Sequence, residues 1–89
     1  MLELPAVLTH DAVASFARGI AASIAAESQA VILDVSGMTD FDSSALALML
    51  ECRRTALQNG KSFAVKGAPA RMQQLATLYG VAELIPSVS

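Results

Sequence analysis

Apolar and polar residues follow two rhythms along this chain. Near the start, an apolar run at residues 2–8 is interrupted by Pro5. A proline removes a ladder donor, so the run predicts an edge strand or an irregular one. Thr9, His10 and Asp11 then precede Ala-rich sequence in which Val13, Phe16, Ala17, Ile20 and Ile24 recur at spacings of three and four. That spacing predicts an amphipathic helix from the residues suited to N-capping at 9–11 to about Glu27, with Gly19 weakening its middle. The rhythm changes at Ala30-Val31-Ile32-Leu33-Asp34-Val35, a continuous, partly β-branched run that predicts a strand covered on both faces, as in parallel sheets.

After a loop at 36–41, a second helix is predicted over residues 43–59. Asn59-Gly60 supplies a left-handed C-cap. Ser62-Phe63-Ala64-Val65 reads as the next strand. Strand, helix and strand of these lengths demand a right-handed crossover and hence parallel pairing. Pro69 sits at a first-turn position of a third helix that runs to Tyr79 and stops at Gly80. The tail at 81–85 predicts a short strand before Pro86. The expected architecture is an open α/β sheet with helices, whose functional edge is the C-terminal end of the central strand.

Composition narrows what this fold can do. The chain has 89 residues, 54% of them hydrophobic and 16% charged, the composition of one small, core-rich domain spanning 1–89 that is expected to fold and not of a disordered segment. The net charge is −2, and the six Lys and Arg residues are scattered, so nucleic acid is excluded as the expected partner. Cys52 is the single cysteine and reads as a helix-packing thiol, with no disulfide and no zinc set. The start carries neither a basic region nor a cleavage site of a secretory leader. No uncharged apolar stretch approaches the ~20 residues of a membrane span. Aromatic residues are few, which argues against a cofactor pocket, and none is expected.

The candidate chemistry gathers where the predicted loop meets the second helix. Thr39-Asp40-Phe41-Asp42-Ser43-Ser44 places several small oxygen-bearing side chains at a helix N-terminus, where unsatisfied N–H groups favour acceptors and anions. Plain capping by Asp42 or Ser43 accounts for these residue types as well as a functional role does. The following run, Ala45-Leu46-Ala47-Leu48-Met49-Leu50, is apolar all round the helix. One side is therefore expected to face the sheet and another to lack cover, as in an interface. A hydroxyl here also tolerates phosphate through the helix dipole, although Asp40 and Asp42 oppose it. Enzymatic readings lack a base: the only histidine, His10, is distant in sequence from the serines. Asp34, Asp40 and Asp42 read as caps and turns, and Arg53, Arg54 and Arg71 as solvent-facing.

Leu33-Asp34-Val35-Ser36 followed by Phe41-Asp42-Ser43-Ser44-Ala45-Leu46 resembles the signature of STAS domains, the family of anti-sigma-factor antagonists and related modules. Asn59-Gly60-Lys61 is similar to the family's helix-to-strand turn. The ending from Leu75 to Pro86, with Leu78-Tyr79-Gly80, resembles the MlaB-type STAS subunit of the Mla phospholipid ABC transport system. The resemblance implies a single STAS-like α/β domain, with about four mostly parallel strands and three or so helices. It implies that Ser43 is the phospho-acceptor or key interface hydroxyl, and that Thr39, Asp40, Phe41, Asp42, Ser44, Ala45 and Leu46 form the partner surface.

The partner it implies is the cytoplasmic ATPase of a transporter that maintains outer-membrane lipid asymmetry. The chain would then lie in the cytoplasm, peripheral to the inner membrane. The alternative is an antagonist switched by an anti-sigma-factor kinase. Two departures stand out: Ala45 occupies the usual glycine position, and the first family strand is missing, which leaves a strand edge open to homodimerisation.

Overall fold

The computed structural model describes residues 1–88, so the last residue of the expected 1–89 domain lies outside the described residues. The elements run β1 (Leu2–Glu3), β2 (Val7–Leu8), α1 (His10–Ala26), β3 (Ala30–Asp34), β4 (Asp40–Phe41), α2 (Ser43–Gln58), β5 (Ser62–Lys66), α3 (Ala70–Leu78), a 3-10 turn (Ala82–Leu84) and β6 (Ser87–Val88). The main sheet has the order β1-β3-β5-β6, with every pairing parallel. A second, two-stranded sheet pairs β2 with β4.

Pro5 divides the first apolar run. The chain leaves β1 after Leu4, whose N–H still reaches the Asp34 carbonyl at 3.0 Å, and re-enters a different sheet at Val7. Three expectations are corrected here. The loop expected at 36–41 ends in β4, because Ala6 presents its carbonyl to the N–H groups of Thr39 (2.8 Å) and Asp40 (3.0 Å). The tail at 81–85 forms a 3-10 turn instead of a strand, and pairing resumes only at Ser87. Pro69 occupies the N-cap of α3, with extended ψ of 152°, one position before the expected first turn.

The central strand is also not covered on both faces. Val31 and Leu33 on β3, Val35 just beyond it, and Phe63 and Val65 on β5 are buried. The alternating Ala30, Ile32, Asp34, Ser62, Ala64 and Lys66 are half-buried or exposed. The core therefore lies on one face, where Ile24 of α1, Leu46, Met49 and Cys52 of α2, and Met72 and Ala76 of α3 join it. A run of six residues is too short for hydropathy to separate a two-sided strand from a one-sided one, and packing decides.

The helix ends carry their own stops. Gly60 and Gly80 adopt φ of 70° and 72°, which a side chain resists, directly after the C-caps of α2 and α3. α1 has no such glycine. Its last carbonyls are held instead by Lys61 Nζ, which donates to Ile24 (3.0 Å), Ala25 (2.8 Å) and Glu27. An ammonium at a helix C-terminus satisfies orphan carbonyls and the dipole together. Lys61→Met should keep the stem's packing and lose these bonds. Thermal unfolding should report a loss of roughly 1.5–3 kcal/mol, in the range of hydrogen bonds to charged groups.

Candidate functional site

The site is assembled around one carboxylate. Asp42 is the N-cap of α2, and its Oδ1 accepts from the Ser44 N–H at 2.9 Å. Its other oxygen, Oδ2, accepts from the backbone N–H of His10, the first residue of α1, at 3.1 Å. Thr9, the N-cap residue of α1, makes no side-chain capping bond. Asp42 therefore caps two helices at once, one of them from 32 residues away. The Ser44 and His10 N–H groups hold its carboxyl below the usual carboxylate range, because both bonds favour the ionised form. Capping, one reading open to these residue types, is thus realised by Asp42.

The loop under this cap is fixed from several sides. β4 pairs with β2 through Val7↔Asp40 and Leu8↔Phe41, and Leu8 and Phe41 are buried. Arg71, at the start of α3, places its guanidinium 4.6 Å from the centroid of the Phe41 ring and donates to the Phe41 carbonyl at 2.7 Å. Arg71 was expected to face solvent; it is exposed yet anchored on the motif. On β3, Asp34 accepts from the Ser36 hydroxyl (2.6 Å) and N–H (3.0 Å), which lower its carboxyl and shape the neighbouring loop.

This hydrogen-bonded platform presents the expected residues unequally. Ser43, the first residue of α2, is exposed, and among the described residues its hydroxyl makes no hydrogen bond. Thr39 and Asp40 are exposed beside it, and Asp42 and Ser44 are half-buried. Phe41, Ala45 and Leu46 lie in the core at 4%, 0% and 2% exposure, so they set the loop's shape from beneath and offer no side-chain surface. The uncovered apolar side expected on α2 is also absent. Leu48, Met49 and Cys52 are buried as α2 packs against α1 and the sheet, and only Ala47 of that run is exposed. Each large side chain so buried contributes roughly 1.5–3 kcal/mol, which explains an apolar run without any partner.

His10, distant from the serines in sequence, is close to Ser44 in space. β2 and the double cap bring its Nδ1 to 3.5 Å from the Ser44 hydroxyl, although the two are 34 positions apart. The contact is long, and Asp42 bonds the His10 backbone and not its ring, so nothing orients the imidazole as a base. Among the described residues no carboxylate bonds the His10 ring, and Ser44 is the hydroxyl that lies nearest it. Cys52 is equally quiet, with burial pushing its thiol up to about 11. No set of three or more metal-ligating side chains exists among the described residues. A cavity of about 150 Å³ beneath α3 is lined by Leu46, Val65, Met72, Ala76 and Ile85 among others. No helix among the described residues is long and apolar enough to cross a membrane.

The fold is thus a parallel sheet with its helices on one face, and an Asp-Ser-Ser turn caps the helix that follows the central strand's loop. A family model described as "Mlab, STAS domain" matches residues 1–86, and the chain belongs to this MlaB-type STAS family. The fold is shared with the solved structure of an anti-sigma-factor antagonist (STAS) domain protein from Planctomyces limnophilus. The TM-score is 0.81 at 20% identity, over 98% of this chain and 79% of that one. No curated protein matches the chain.

Proposed function

We propose that this chain is a non-catalytic docking subunit that binds the cytoplasmic ATPase of an Mla-type phospholipid ABC transporter and stabilises or regulates it. The reading is carried by the MlaB-type family match over residues 1–86. It is supported by the exposed Ser43 hydroxyl, which makes no hydrogen bond among the described residues and sits on a turn that two helices share. A rigid, pre-formed contact point loses little entropy on association. Thr39, Asp40, Asp42 and Ser44 flank the contact, while Phe41, Ala45 and Leu46 brace it from the core. Through its partner the chain is peripheral to the inner membrane, on the cytoplasmic side.

A second reading has its own support: the fold is shared with an anti-sigma-factor antagonist (STAS) domain protein, and Ser43 is exposed to solvent. A phosphate on Ser43 adds about two negative charges beside Asp40 and Asp42 and would release an acidic or neutral partner. Affinity purification of the tagged chain from its own host, with mass spectrometry of partners and of Ser43, separates the two. Co-purification of an ABC ATPase and its permease is the expected result. A kinase-like partner with phosphate on Ser43 would replace the transport reading by sigma-factor control.

A further inference from the structure

α3 carries an outward strip that the motif-centred reading leaves unused. Arg71, Gln74 and Leu78 are exposed and lie at i, i+3 and i+7, one face of the helix. The opposite positions, Met72 and Ala76, are buried. Leu78 is 76% exposed and the adjoining Tyr79 is 54% exposed, although both are large apolar residues in a small, well-packed domain. The upper end of the strip is tied to the motif, since Arg71 stacks on Phe41 and bonds its carbonyl immediately before Asp42 and Ser43.

One Nη group of Arg71 is thus used for anchoring, and among the described residues the guanidinium has no carboxylate partner. Its fork is held in place with donors to spare. Arg and Tyr with an exposed Leu beside them are the residue types that anchor interfaces, because they bury large area from few rotatable bonds.

We propose that the docking surface extends from Ser43 along the outer face of α3, and that the partner protein offers a carboxylate side chain to Arg71 and an apolar groove to Leu78 and Tyr79. A carboxylate suits the planar fork, which takes two oxygens at once. Asp40 and Asp42 beside the motif oppose a more highly charged phosphate group. This surface deepens the ATPase reading and rests on it.

The test measures affinity of the purified full chain for the purified cognate ATPase subunit by biolayer interferometry, with circular dichroism melts for each variant. Arg71→Glu and Leu78→Asp should each weaken binding at least roughly tenfold, as truncated interface anchors do. Arg18→Glu, the same charge change on the exposed side of α1, should stay within about twofold, as peripheral surface charges do. Because Leu78→Asp touches neither Phe41 nor its carbonyl, its loss cannot come from a loosened motif. Reversing one acidic residue of the ATPase to Arg should restore binding to Arg71→Glu, which a purely structural Arg71 would not allow. Wild-type binding that persists unchanged in both α3 variants overturns the extended surface while the ATPase reading stands. Failure of the wild-type chain to bind overturns both.

Discussion

Gly67→Ala should be among the most damaging single-methyl changes in this protein, lowering stability by roughly 2–4 kcal/mol and the melting temperature by roughly 10–25 °C. Gly67 follows β5 with φ of 73°, a conformation that costs an ordinary residue about 1 kcal/mol or more. A Cβ there would stand 2.5 Å from Ser36 Cβ, 3.0 Å from its Cα and 3.3 Å from its backbone N. A rotamer change cannot relieve contact with backbone, and Ser36 is itself held by Asp34 through two hydrogen bonds. The loops after β3 and β5 would have to separate at the sheet edge that carries the site, straining the bond from the Val35 N–H to the Lys66 carbonyl. Gly37→Ala is the matched control: nothing lies within 4 Å of its added methyl, and its melt should stay near wild type. Equal melting temperatures for the two variants would show that the close approach of Gly67 to Ser36 does not constrain the fold.

The second large effect concerns Asp42. Removing its side chain leaves the first N–H groups of both α1 and α2 without their acceptor, so Asp42→Ala should lower the melting temperature by more than Thr9→Ala, whose side chain makes no capping bond. Hydrogen exchange should accelerate in the first turns of both helices, not of α2 alone. The pH dependence follows from linkage. The folded carboxyl lies below its usual value, so its contribution is fully present above the unfolded pKa of about 3.9 and is lost as pH falls through the folded value. Asp34 is shifted the same way by Ser36 and adds to the same acid window. Asp42→Asn should therefore show a shallower loss of stability below about pH 4 than wild type. An unchanged acid slope would mean that the carboxylate does not carry the double cap.

Much of this organisation is legible in the residues themselves. Asn59-Gly60 and Gly80 mark helix ends because left-handed backbone selects glycine locally, and the Asp42-Ser43-Ser44 turn announces a cap because its residue types serve no other helix position as well. What escapes is what only the topology brings together. His10 meets Asp42 because β2 pairs with β4, and neither two-residue strand has a periodicity to read. Arg71 reaches Phe41 across 30 residues. The apolar run after Ser44 looks like an exposed patch in one dimension, because nothing local says that α1 packs along α2. The open face of the sheet is hidden for a related reason: Ile32 and Ala64 are apolar but small in number, and the sequence cannot tell which alternate face the helices choose.

Calorimetric titration of the purified chain into the purified cognate ATPase subunit, alongside a Ser43→Asp variant shown by its melt to remain folded, tests the docking role most directly. Wild type is expected to bind with one saturable transition. The variant, whose new charge sits at the exposed contact beside Asp40 and Asp42, should lose at least roughly tenfold in affinity. Equal affinities of the two proteins, or no binding by the wild type, would contradict a docking surface centred on Ser43.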